Sequence, residues 1–210
     1  MQNKKVFFVG LNKTATTSFS KLFANNNFKV LDSPKWWYFD SLEQFNRQVY
    51  TDGYEKVIRR TSDKFLQFPD LEFLKQSFPD SYFILQTRPI KSWLNSRLNK
   101  YSISENLTQE INEEGLLKIL KEDYSIRNYW HTKVEFVFKN FKTNFMKLDI
   151  TLSDEDKVNK LEKFLKIKFN NRDFPTVNIT DENNFEDFNI LKRNKIVVDK
   201  FFDNKVYETI

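Results

Sequence analysis

The stretch that decides the fold is KKVFFVGLNKTATTSF, residues 4 to 19. Val6 to Val9 is a short apolar run closed by Gly10, the mark of a strand buried on both faces. Thr14 to Asn26 then carries helical spacing, with Phe19, Leu22 and Phe23 on one face. A strand, a glycine turn and a helix in succession leave unpaired backbone N–H groups at a helix N-terminus. With the helix dipole behind them, these form an anion site. Lys13 adds a charge and Thr14, Thr16 and Thr17 add hydroxyls.

Outward from that stretch, strand-like and helix-like segments alternate. Phe28 to Leu31 reads as a second strand, Ser41 to Tyr50 as a helix, and Val57 and Ile58 as part of a third strand. Asp70 to Phe78 is helical, between Pro69 and Pro79. Tyr82 to Leu85 is the clearest buried strand, and a helix over residues 90–100 follows Thr87-Arg88-Pro89. Leu107 to Phe141 should hold one or two longer helices, and Asn144 to Ile150 a last strand. Ser153 caps a helix running to about Lys166, with Val158, Leu161 and Leu165 facing inward. Strands separated by helices pair in parallel through crossovers, which predicts an α/β fold. One domain over residues 1–210 is expected, with the tail 179–210 packing on it.

Composition sets the bounds. An apolar content of 40%, with 23 Phe, suffices for a packed interior and argues against general disorder. The net charge of +5 favours anionic ligands mildly, but the 29 acidic residues among the basic ones give no case for nucleic acid. Without Cys there are no disulfides or thiolate metal sites. Apolar runs fall short of a membrane span and of a signal-peptide core, so the default expectation is a cytoplasmic, soluble protein.

In a nucleoside-triphosphate-binding loop the Lys follows Gly and directly precedes Ser/Thr, so that the hydroxyl can hold Mg²⁺. Here the order is Gly10-Leu11-Asn12-Lys13-Thr14-Ala15-Thr16-Thr17, and the best strand ends Gln86-Thr87-Arg88 rather than in a metal-holding Asp. The loop therefore reads as built for a phosphate bound without a metal. Asn12-Lys13-Thr14-Ala15-Thr16-Thr17-Ser18 resembles the 5′-phosphate loop of sulfotransferases that use 3′-phosphoadenosine 5′-phosphosulfate (PAPS), commonly Pro-Lys-x-Gly-Thr-Thr-Ser. It matches at Lys13, Thr16, Thr17 and Ser18, and departs at Asn12 and Ala15. FILQTRPIKSWLNSR, residues 83 to 97, resembles the family's 3′-phosphate element: a strand, then Arg88, then Ser96 eight positions later, with Trp93-Leu94 between them and Pro89 where Asp is usual. FLKIKFNNRDFPTVN, residues 164 to 178, is similar to the C-terminal element of small bacterial-type members.

The resemblance implies a three-layer, P-loop NTPase-like fold with a central parallel sheet flanked by helices. It further implies metal-independent, in-line transfer of a sulfuryl group from PAPS to a hydroxyl or amine of a carbohydrate or small molecule, leaving 3′-phosphoadenosine 5′-phosphate. Lys13 would bridge the 5′-phosphate and the leaving oxygen. Thr14, Ala15, Thr16, Thr17 and Ser18 would hold the 5′-phosphate, and Arg88 and Ser96 the 3′-phosphate. Family members use His or Glu as general base. The candidates here are Asp32, Asp40 and Asp63, which follow strand-like segments; the single His131 sits in a helical stretch where a packed or surface role is the simpler reading. Trp36, Trp37 and Tyr38 could stack on an adenine or a sugar, or anchor their loop to the core. Arg59-Arg60 and Lys192-Arg193 read as solvated pairs, and Asp181 to Phe188 as a surface loop. Two other functions are compatible with the residues: a non-catalytic polyanion-binding module on the same fold, and an atypical P-loop nucleotide kinase.

Overall fold

A computed structural model describes residues 4–32, 41–51, 70–104, 112–141, 144–175, 185–205 and 207. Among them are five strands, β1 (Val6–Phe8), β2 (Val30–Asp32), β3 (Val49–Thr51), β4 (Tyr82–Thr87) and β5 (Phe145–Asp149). The α-helices are α1 (Thr16–Ala24), α2 (Leu71–Ser77), α3 (Ile90–Ser104), α4 (Glu113–Phe138), α5 (Asp154–Leu165) and α6 (Phe185–Asp203). The fold is α/β, with the strands in one all-parallel sheet of order β2–β3–β1–β4–β5. The chain divides into two compact units. One comprises Met1–Thr87 and His131–Asn178; the other comprises Arg88–Trp130 and Ile179–Ile210.

The first unit holds the sheet, and the alternation of Val6, Phe7 and Phe8 explains its two covered faces. Val6 and Phe8, with Val49, Tyr82, Ile84 and Leu148, bury against Phe19, Leu22 and Phe23 of α1 and Val158, Leu161 and Leu165 of α5. Phe7 points the other way. It stacks on Tyr50 and Phe83 at centroid distances of 5.0 and 5.4 Å, with Phe78 at 5.4 Å. Phe138, at the end of α4, lies 4.3 Å from Phe83. Each fully buried Phe contributes about 1.5–3 kcal/mol, so this aromatic layer is a main reason the central strand is fixed.

Local signals set several boundaries. The Asp70 carboxylate accepts the Phe73 N–H (3.0 Å) and starts α2. The Ser153 hydroxyl oxygen accepts the Asp156 N–H (3.1 Å) and starts α5, as its sequence predicts. In the second unit α6 packs on α3: the Asn194 carboxamide donates to Asn99 and Ser102 (both 3.0 Å), and Lys91 pairs with Asp199 (2.8 Å). Arg97 of α3 forms a buried ion pair with Asp123 of α4 (2.9 Å).

Two expectations need correction. Ser41 to Tyr50 is not a helix: a 3-10 turn spans Leu42–Gln44, and Val49-Tyr50-Thr51 is β3. Leu42, Phe45 and Val49 imitate helical spacing, but β3 is buried between β1 and β2, where a β-branched and aromatic run fits better. The end of the stretch Asp181 to Phe188 is no loop, since residues 185–188 open α6. The last apolar segment, Ile196 to Phe202, is the end of that same helix. Val57 and Ile58 lie outside the described residues.

Candidate functional site

The residues that follow β1 occupy a special place in the sheet. From β1 the chain passes through α1 to β2 and β3 on one side, then crosses to β4 and β5 on the other. In an open parallel sheet, ligands bind beyond the carboxyl ends of the strands where the order reverses in this way. Residues 9–15 leave β1 at that point.

The loop is held down by its two neighbours. Val9 N–H donates to the Ile84 carbonyl (2.9 Å), and Gly10 N–H to Oε1 of Gln86 (2.6 Å). A β-carbon on residue 10 would stand 2.5 Å from that Oε1 and 2.7 Å from the Gln86 carbonyl oxygen, so only glycine fits. Beyond Leu11 the backbone turns sharply. Lys13 and Ala15 both have positive φ, 61° and 62°, on either side of Thr14. Such alternation curls successive N–H groups into a concavity of the kind that holds phosphates. Ala15 is the N-cap of α1 and offers no side-chain cap, and the first turn carries no acidic residue. The first helical bond runs from Phe19 N–H to the Ala15 carbonyl (3.0 Å). The N–H groups of Thr16, Thr17 and Ser18 therefore precede the helix ladder, at its positive end.

The loop side chains divide by burial. Thr14, Thr16 and Ser18 are buried, whereas Lys13 and Thr17 are half-buried. The Thr14 hydroxyl donates to the Leu11 carbonyl and so shapes the turn. The backbone amides and the half-buried Lys13 are thus the donors this loop could turn towards an anion. At the root of the loop, against Gly10, lies Gln86, fully buried on the sheet face that carries α1, with its Nε2 lacking any hydrogen-bond partner.

Arg88, the first residue beyond β4, belongs to the second unit. Its Nε donates to the Ser92 hydroxyl (2.8 Å), while its backbone carbonyl accepts from Nη2 of Arg127 on α4 (2.8 Å). Burial lowers the pKa of both guanidiniums from the usual arginine value; for Arg127 the neighbouring Tyr124 acts weakly in the opposite sense. Both are arginines and stay charged at neutral pH, and the Arg127 guanidinium rests as a partly dehydrated cation against the backbone of Arg88. Ser96 is half-buried two turns along α3, and Trp93 and Leu94 are core residues. Sequence reasoning missed the Arg127 contact to Arg88 and the hold of Gln86 on Gly10. Their only signals were an arginine beside apolar Ile126 and a polar residue inside an otherwise apolar strand.

Of the candidate bases, Asp32 ends β2 at the same edge of the sheet and is exposed; its Oδ1 accepts from the Thr51 hydroxyl (2.9 Å). Two strand spacings, about 10 Å, separate it from β1. Asp40 and Asp63 lie outside the described residues, as do Trp36, Trp37, Tyr38, Arg59 and Arg60. His131 is half-buried in α4. Among the described residues no helix is long and apolar enough to cross a membrane. No protein-family model matches the chain, and no curated protein is significantly similar to it.

Proposed function

We propose that the chain is a PAPS-dependent sulfotransferase acting on a hydroxyl or amine of a carbohydrate or small molecule. The observation that carries this reading is the loop after β1: an N–H concavity with Lys13 in it, at the reversal point of a parallel sheet. The loop after β1 fits the cofactor's 5′-phosphate, which the amides of residues 14 to 18 would hold; Arg88 and Ser96 are assigned to the 3′-phosphate by the resemblance alone.

PAPS, when bound, supplies the sulfuryl group. This group carries less negative charge than a phosphoryl group, so positioned donors and one cation can stabilise the departing phosphate oxygen. Lys13 is the residue for that task. Asp32, a carboxylate at the carboxyl-end edge of the sheet, would accept the acceptor's proton.

Thermal unfolding with 3′-phosphoadenosine 5′-phosphate tests the reading. At about 100 times the dissociation constant, binding adds about 2.7 kcal/mol, or roughly 5–10 °C for a domain of this size. The shift is expected with the bisphosphate, and neither with ATP plus Mg²⁺ nor in Lys13→Ala. A shift with ATP plus Mg²⁺ alone would mean a kinase-like protein. Absence of both shifts would overturn the assignment.

A further inference from the structure

We infer that Gln86 is a ligand-binding residue of the loop after β1: its Oε1 fastens Gly10, and its Nε2 donates to an oxygen of the phosphate or sulfuryl group seated at the N-terminus of α1. This rests on the proposed reading of that loop as a phosphate site.

Gln86 lies on the sheet face where β4 otherwise presents Tyr82 and Ile84 to the core under α1 and α5. It is fully buried, and an amide in such a place is expected to use both of its ends. One end is used, because Oε1 accepts the Gly10 N–H at 2.6 Å. That bond also fixes the orientation of the amide, since the reversed form would set two donors against each other. The other end, Nε2, has no acceptor at all. A purely structural residue here would need an acceptor only, or would be apolar. A donor left over at the root of a loop of curled N–H groups is complementary to an anion oxygen, and offers the loop a neutral donor from the side of the sheet.

Calorimetric titration of 3′-phosphoadenosine 5′-phosphate and of inorganic pyrophosphate into wild type, Gln86→Glu and Gln86→Met tests this. Glu retains an acceptor for Gly10 N–H but removes the donor and adds negative charge; Met removes both polar ends while keeping the bulk. The expected result is a loss of affinity on the order of 10- to 100-fold in both variants. The ligand-free melting temperature of Gln86→Met should fall by a few degrees, because Gly10 N–H loses its acceptor, a cost offset in part by removal of the unpartnered donor. If Gln86→Glu fails to fold, Gln86→Met decides alone. Bisphosphate binding that is unchanged in the folded variants would overturn the role of Gln86 and leave the sulfotransferase reading standing. Pyrophosphate binding lost in the variants, with no bisphosphate binding to wild type, would keep the role and remove that reading. If wild type binds neither anion, both fall.

Discussion

Ala15 shows how a single residue carries the tension between stability and site. At φ 62° and ψ 27° its β-carbon crowds the backbone, which costs about 1–2 kcal/mol against glycine. Part of this is offset because glycine would loosen the unfolded chain. Ala15→Gly should therefore stabilise the protein by about 0.5–1 kcal/mol, read as a small rise in melting temperature. A fall would contradict the left-handed conformation of this residue. Much at this scale was legible: Lys13, the threonines and Gly10 stand where their pattern predicts a loop at a helix start. The positive φ of Lys13 was not, because lysine gives no hint of a left-handed backbone. Gln86 was visible only as an oddity in FILQT, since its meaning depends on Gly10, 76 residues away.

At the scale of elements, caps and buried ions decide where helices begin and what they tolerate. Glu162 of α5 is nearly fully buried; its Oε1 accepts the Phe169 N–H and its Oε2 the Lys168 ammonium, both at 2.9 Å. Burial alone would raise its pKa, but the Phe169 amide, Lys168 and Arg172 together hold it below the ordinary value. A depressed carboxylate contributes stability above its unfolded pKa, and the contribution disappears as pH falls through the folded one. Glu162→Gln should thus cost about 1–2 kcal/mol near neutral pH, and the gap should close in urea melts as the pH falls below the ordinary glutamate value. A gap independent of pH would mean that the charge contributes nothing.

Elements were legible where a cap or a buried run marks them, as for α2, α5 and β4. They were misread where spacing is ambiguous. Leu42, Phe45 and Val49 satisfy a helix until β1 and β2 claim Val49 to Thr51 for the sheet. α6 was hidden for another reason: the residues before Ile196 are mostly polar. Besides the Lys91–Asp199 pair and the buried Val197, Val198 and Phe201, it relies on side-chain hydrogen bonding from Asn194 to Asn99 and Ser102, which no hydrophobic pattern reveals.

At the scale of the whole molecule, the alternation of strands and helices was enough to predict a parallel sheet, but not its order. That order puts β1 in the middle, so the loop after β1 emerges where the strand order reverses. The central claim is that this loop binds the cofactor's phosphate through its amides. The most direct measurement is the change in backbone amide NMR shifts as 3′-phosphoadenosine 5′-phosphate is titrated into the ¹⁵N-labelled protein. The account predicts saturable shifts for the amides of residues 13 to 18, with the side-chain amide of Gln86 moving alongside them. Saturable shifts that leave those amides unmoved, or no shifts at all, would contradict it.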